Sequence, residues 1–244
     1  MKTVGVIPAR YASTRFPGKP LVDICGKPMI WWVYSQVKKA EGFDEVYVAT
    51  DDTRIADICS EYNMKFVMTS EHHGTSTERL WEVAGKIDAD VYVCINGDEP
   101  LISPRIIEAI IPSSTEDFFA ANLMSVIHDP VEVVDNTNIK VVTDSRGCAL
   151  FMSRSPIPHP KASINYTYRK HLGVLAYTKE ALEFFASTPK GANELIEDIN
   201  ELRFIEHNKP LRMIEVESES LSVDTPKDLE KVLKIIHERG LASL

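Results

Sequence analysis

The chain has 244 residues, with 36 Asp and Glu against 27 Lys and Arg, and a formal net charge of −9. Hydrophobic residues make up 44% and charged residues 26%, which supports a packed core and is too apolar for disorder. The acidic balance, with no basic block, argues against a nucleic-acid or anionic-membrane partner, and no apolar run approaches the roughly 20 residues of a membrane span.

The opening MKTVGVIPAR reads as a first strand over residues 3–7, ended by Pro8, and not as a secretory signal. Residues 29–37 (MIWWVYSQV) are apolar at helical spacing, and Pro28 suits the first turn of that helix. Residues 45–50 read as a buried strand, 52–62 as a helix, 65–68 as a strand, 77–87 as a helix and 90–95 as a strand. This alternation predicts an α/β fold, a mostly parallel sheet with helices on both faces. From residue 119 four strand-like runs follow with little helix between them (120–127, 139–144, 148–153, 171–178), as in an inserted antiparallel subdomain. Helices return at 179–186 and 193–207, then a strand at 211–216 and a helix at 225–239 opened by Thr225-Pro226. No linker separates these parts. They read as a single domain, with 1–118 and 205–244 as its core and 119–204 as an embedded insertion. Cys25, Cys59, Cys94 and Cys148 stand far apart, with no CxxC and no His at ligand spacing, so reduced thiols in a cytoplasmic protein are expected.

In an open α/β sheet, ligands sit at the carboxyl ends of the parallel strands. The loop after the first strand, residues 8–20, packs Arg10, Arg15 and Lys19 among Ser13, Thr14 and Gly18 with no acidic residue. Phosphate oxygens explain such a cluster, since Arg offers a planar fork of donors and Lys a mobile point charge; a solvated basic loop is the plain alternative. The spacing is neither GxGxxG nor GxxxxGK[ST]. The turn Asn96-Gly97-Asp98-Glu99-Pro100 follows a buried strand and aims a carboxylate at the cleft floor. Asp98, and second Asp224, are oxygen ligands of the kind Mg²⁺ prefers, though each could instead cap a helix. Residues 75–79 read as a nucleotide-contacting loop entering a helix, where Arg79 serves either nucleotide or core. His72-His73 lacks a distant partner for zinc. Trp31, Trp32 and Trp81 read as packing on helix faces, and Asp51 and Asp52 as a turn and helix cap. Arg154, Lys170, His171 and Arg203 form a second polar set beyond residue 150, with His171 and Arg203 also readable as structural.

The stretch RYASTRFPGKPL followed by GKPMI resembles the N-terminal signature of the CMP-KDO synthetases, the 3-deoxy-manno-octulosonate cytidylyltransferases. The similarity continues in order through VATDD (48–52), TER (77–79), NGDEP (96–100), IKVVTD (139–144), ALFMSRSPIP (149–158), KHLGVLAY (170–177), ELR (201–203) and VDTPKDLE (223–230). The resemblance implies a nucleotide-diphospho-sugar transferase-like, Rossmann-like fold and a Mg²⁺-dependent transfer from CTP to a 2-keto sugar acid. It assigns Arg10, Lys19 and Asp98 to catalysis, and Ala9, Arg10, Ser13, Arg15, Lys19, Ser76, Thr77, Arg79, Asn96 and Gly97 to the nucleotide. It assigns Arg154, Lys170, His171, Glu201 and Arg203 to the sugar, and Asp98 and Asp224 to the metal. The resemblance makes 1–118 and 205–244 the nucleotide-binding core and 119–204 a sugar-binding and dimerisation insertion, and it implies a cytoplasmic homodimer serving lipopolysaccharide or capsule synthesis.

Several positions depart from the family pattern. Thr75-Ser76-Thr77 replaces Ser-Gly-Thr, Asn96 replaces Gln, Leu175 stands where a Tyr is usual, and Asn200-Glu201 replaces Glu-Gln. These leave open a different acid, such as an 8-amino analogue of KDO, or a catalytically silent nucleotide-binding homologue.

Overall fold

The computed structural model describes residues 1–12, 16–218 and 221–241. Strand β1 (Thr3–Ala9) leads through a 3-10 turn (Lys19–Leu21) to a two-residue hairpin, β2 (Asp23–Ile24) and β3 (Lys27–Pro28). Cys25 and Gly26 hold positive φ of 53° and 82° at its tip, the backbone a tight hairpin demands. There follow α1 (Met29–Lys39), β4 (Glu45–Thr50), α2 (Thr53–Glu61), β5 (Phe66–Met68), α3 (Ser76–Lys86) and β6 (Val91–Ile95). Next come α4 (Pro104–Glu108), β7 (Ala120–Val126), α5 (Pro130–Val134), β8 (Lys140–Thr143), β9 (Ala149–Ser153) and β10 (Arg169–Thr178). The chain closes with α6 (Lys179–Ser187), α7 (Ala192–Glu197), α8 (Leu202–Glu206), β11 (Leu211–Glu215) and α9 (Pro226–Glu238). Among the described residues, no helix is long and apolar enough to cross a membrane.

The strands order as β11-β7-β10-β6-β1-β4-β5, with β8 and β9 attached through β10. Pairs β1/β4, β1/β6, β4/β5 and β7/β11 are parallel, while β10 runs antiparallel to β6, β7 and β8. This is the mostly parallel sheet with an antiparallel insertion that the sequence predicts. Runs such as VYVCI in β6 are buried along their whole length because helices cover both faces of the sheet. One core layer joins Val4, Val6 and Leu80 to Phe185, Leu202 and Phe204, so side chains of residues 119–204 pack with those of β1 and α3. The other layer packs α1 and α2 on β1, β4 and β6. A third, smaller cluster sets Met29 and Trp32 of α1 against Val223 and against Val232 and Ile236 of α9. Trp32 is packing, as expected, and its indole N–H donates to the Ile24 carbonyl at 2.9 Å.

The expected continuous helix over 193–207 is broken in two. Asp198 ends α7 in the left-handed region (φ 53°, ψ 50°), and the chain folds back on itself. Apolar spacing alone cannot show this, because Leu195 and Ile196 continue the stripe yet are exposed. Two polar contacts hold the fold-back. The Glu206 carboxylate accepts from the Asn193 and Glu194 N–H groups at 2.9 and 3.1 Å, capping the start of α7. Arg203 and Glu194, 4% and 2% exposed, form a buried forked ion pair at 2.5 and 2.7 Å. The Arg203 guanidinium also stacks on Phe185 and donates to the Phe185 and Thr188 carbonyls. Arg203 is therefore a core tie, the structural alternative to the sugar contact that the resemblance assigns to it. Glu201, immediately before α8, is buried, and burial pushes its carboxyl up to about 7, with the nearby Glu194 adding to the rise.

Removing one partner of a buried pair strands the other, so Arg203→Met is expected to cost about 3–5 kcal/mol in chemical denaturation. Glu201 gives a pH signature. Between pH 4.5 and 7 the unfolded carboxyl ionises while the folded one stays protonated, so stability falls as pH rises. Glu201→Gln removes that loss, and its advantage over the parent should grow from pH 5 to pH 8 by about 2–3 kcal/mol. Unfolding midpoints at the two pH values read it directly.

Candidate active site

The site begins where two central strands part. β1 stays paired with β4 as far as Ala9 and Thr50, but its pairing with β6 ends at Val6 and Cys94. Pro8, just beyond, has no N–H with which to continue a ladder. The turn after β6 fits into the gap, and Gly97 lies so close that a Cβ there would stand 3.0 Å from the Pro8 carbonyl oxygen. Asn96 anchors the turn to β10, its N–H donating to the Gly173 carbonyl at 2.9 Å. Its side chain occupies the space a Cβ on Gly173 would need, at the register shift between His171 and Leu175.

Asp98 is thus hung over the carboxyl end of the sheet. Val223, fully buried under α9, donates its N–H to the Asp98 carbonyl at 2.8 Å and brings Asp224 alongside. The capping role suggested for Asp224 falls instead to Thr225, whose N–H and hydroxyl donate to Asp228 at 3.1 and 2.8 Å. Lys19 reaches from the first loop and donates to Asp98 at 2.9 Å and to Asp224 at 3.2 Å. One ammonium thus spans two carboxylates. Its approach depends on Gly18 (φ 71°), which turns the loop back so that its N–H meets the Tyr11 carbonyl at 3.0 Å.

The amino end of α3 forms another wall. Thr75 caps it, accepting from the Glu78 N–H at 3.1 Å, while the Glu78 carboxylate accepts from the Gly74 and Thr75 N–H groups. Thr75 is extended, at φ −131°, and Ser76 is the first helical residue, so neither needs the conformational freedom of the family glycine. Arg79 is anchored at depth by Asp51 at 2.8 Å and by the Thr69 hydroxyl. Asp51 is therefore the partner of Arg79 and not just a turn residue, while Asp52 caps α2 as expected. His73 pairs with Glu82 at 2.5 Å.

The resulting cleft measures about 400 Å³. Of the residues singled out from the sequence, Ala9, Arg10, Lys19, Ser76, Arg79, Asn96, Gly97, Asp98 and Asp224 line it. Ser13 and Arg15 lie outside the described residues. Thr77 is buried behind the wall, its hydroxyl 3.5 Å from that of Tyr177. None of the five residues assigned to the sugar lines the cleft, and each has another partner or setting. Arg154 donates to the Asn136, Glu197 and Asp198 carbonyls, and Lys170 pairs with Glu132 at 2.7 Å. His171 meets Asn122 at 3.1 Å, and burial with the charge of Arg154 lowers it to about 4, so it is neutral at pH 7. Glu201 is buried and Arg203 is the core tie already described.

The same part of the chain contributes other residues instead: Lys190, Asp198 and Asn200 line the cleft, as does His73 from the other wall. Pro189-Lys190-Gly191 carries the combination of turn residues and a cation that marks Pro17-Gly18-Lys19, and that signal could have found it. Asn200 is one of the departures named from the sequence, whereas Asp198 is hidden by the continuous helical pattern across it.

The family described as Cytidylyltransferase matches residues 4–214. A 3-deoxy-manno-octulosonate cytidylyltransferase of Syntrophotalea carbinolica is 43% identical, covering 99% of this chain and 100% of its own. One of Escherichia coli is 41% identical, covering 95% and 94%. The solved CTP complex of a CMP:2-keto-3-deoxy-manno-octonic acid synthetase superposes with a TM-score of 0.92 at 39% identity, covering 98% of this chain and 100% of the other. A cytidylyltransferase of Leptospira borgpetersenii shares the fold at a TM-score of 0.65 and 16% identity, over 98% of this chain and 87% of that one. Sheet, cleft and full-length identity agree: the chain belongs to the cytidylyltransferase family, among the 3-deoxy-manno-octulosonate cytidylyltransferases.

Proposed function

We propose that this protein transfers a cytidylyl group from CTP to 3-deoxy-manno-octulosonate, releasing pyrophosphate. The observation that carries the reading is the Lys19 ammonium shared by Asp98 and Asp224 at the mouth of the parallel strands. The names of its full-length relatives support the substrate pair.

In this reaction the anomeric hydroxyl oxygen attacks the α-phosphorus of CTP. A new P–O bond forms, the bond to the bridging oxygen of the β-phosphate breaks, and the hydroxyl proton leaves to water. Charge grows on the departing pyrophosphate, so catalysis consists of positioning and neutralisation more than covalent chemistry. Arg10, exposed at the carboxyl end of β1, and Lys19 supply cations for the phosphates. The amino end of α3 adds the partial positive charge of its dipole. Asp98 and Asp224 are the residues that would hold Mg²⁺. They offer oxygen only, and among the described residues no group of three or more Asp, Glu, His or Cys is gathered to hold a metal by itself, which suits a cation that completes its shell with phosphate oxygens and water. When bound, Mg²⁺ neutralises phosphate charge and polarises the α-phosphate.

Of the three departures nearest the acid, only Asn200 lines the cleft, while Leu175 and Glu201 are buried behind it. That favours KDO over a remodelled acid pocket. The reading includes a homodimer formed through residues 119–204, supported by the exposed apolar side chains of Val131, Val134, Leu150, Ile164, Leu195 and Ile196. Arg154 draws their elements together by tying Asn136, beyond α5, to Glu197 and Asp198 at the end of α7. A cytoplasmic place in lipopolysaccharide or capsule synthesis completes it, and four free cysteines fit a reducing compartment.

Pyrophosphate release with Mg²⁺, CTP and KDO, set beside the 8-amino analogue and other nucleoside triphosphates, tests the proposal. Robust release with CTP and KDO is expected; turnover confined to another acid, or none at all, overturns it. Lys19→Ala and Asp98→Asn should fold normally and lose about 10²–10³ in turnover. Parental turnover in folded Asp98→Asn would remove Asp98 from the mechanism. Light scattering should report a dimer, and the paired change Ile164→Asp with Ile196→Asp should yield a monomer.

A further inference from the structure

Among the described residues four Lys and Arg side chains line the cleft, and they are in different states. Lys19 is held by two carboxylates, and Arg79 is fixed to Asp51 and Thr69. Arg10 and Lys190 are exposed, and among the described residues neither has a carboxylate partner. Arg10 belongs to the phosphate loop. Lys190 comes from the loop between α6 and α7, in the chain's other half, and the reaction as described gives it no part.

The backbone that presents Lys190 is held on both sides. Ahead of it, the Thr188 carbonyl accepts from the buried Arg203 guanidinium at 3.2 Å, and the Phe185 carbonyl from the same group at 2.7 Å. Pro189 fixes its own φ. Behind it, Gly191 lies so close to the Glu206 carboxylate that any Cβ there would collide with it. That carboxylate is in turn held by the Asn193 side chain at 2.8 Å and by the N–H groups of Asn193 and Glu194. A buried ion pair and a helix cap thus brace a three-residue turn whose central side chain is an unpaired ammonium in the cleft. Lysine on a mobile surface loop is ordinarily a solvated charge; on a braced turn facing a cleft for anions, it is preorganised to meet one.

Resting on the cytidylyltransferase reading, we propose that Lys190 is a substrate-contacting residue that holds an oxyanion of the bound substrates, complementing Arg10. Its partner is a phosphate oxygen of CTP or the carboxylate of the sugar acid. Both are charged acceptors that an ammonium binds through charge-assisted hydrogen bonds.

Steady-state kinetics and calorimetric binding of CTP with Mg²⁺ and of KDO, on the parent, Lys190→Ala and Lys190→Arg, test this. Lys190→Ala should raise one KM about 10-fold or more, with kcat changed less than about two-fold. A rise confined to CTP assigns the phosphate, and one confined to KDO assigns the carboxylate. Lys190→Arg should recover most of the loss, which a structural role for an exposed side chain would not produce. Unchanged KM and Kd for both substrates in Lys190→Ala overturns the proposal. If the parent binds either substrate without turning over, the functional reading fails while the binding arm still decides Lys190. A parent that binds neither overturns both.

Discussion

A proline near the end of a central strand sets the geometry of this protein. β1 runs through the middle of the sheet, paired on one side with β4 and on the other with β6. Beyond Val6 the ladder with β6 stops, and Pro8 has no N–H to extend it. The turn after β6 sits in the opened gap, and Gly97 is small enough to fit there against the Pro8 carbonyl. From that fit follow the position of Asp98, the hydrogen bond that draws in Val223, and the placing of Asp224 beside Lys19. The crevice is where an open α/β sheet binds ligands, and here its cause can be traced to two residues.

Charge in the cleft is graded by burial and partner more than by residue type. Arg79 and Arg203 are both deeply buried, yet one lines the cleft tied to Asp51 and the other never reaches it. Lys19 is balanced between carboxylates, whereas Arg10 and Lys190 are exposed. An acidic protein therefore keeps cations at this mouth in three conditions: locked, shared and available. Asp98, Asp198 and Asp224 line the same cleft, so these cations stand among carboxylates and not in a uniformly positive mouth.

The alternation of strands and helices over the first hundred residues was legible because each segment is short, apolar at one period and bounded by turn residues. The loops after β1 and β6 could be read as a site for the same reason, since strand ends fix where loops go. The region beyond residue 150 was less readable. Lys170 and His171 are polar residues on a strand and Arg154 directly follows one, and nothing in a sequence says that Glu132, Asn122 and Glu197 wait to engage them. The bend at Asp198 is invisible to periodicity because Ile199 and Leu202 keep helical spacing with Leu195 across a break in the helix. Thr75 and Ser76, departures from a glycine-bearing pattern, proved to be ordinary capping chemistry that the Thr-x-x-Glu spacing already contained.

The pairing of α1 with α9 has a consequence for how the protein is made. Met29 and Trp32 emerge early in synthesis, but Val232 and Ile236, which cover them, lie about 200 residues later. At ordinary elongation rates that interval is about 10–40 s, during which an apolar helix face waits uncovered on the nascent chain. The same late segment carries Asp224. Until it docks, the first loop and Asp98 are present without their second carboxylate, so completion of the cleft and the shielding of α1 arrive in one event. An interrupted translation product would have an incomplete cleft and an adhesive helix face, and cellular quality control could recognise it by that exposed face alone.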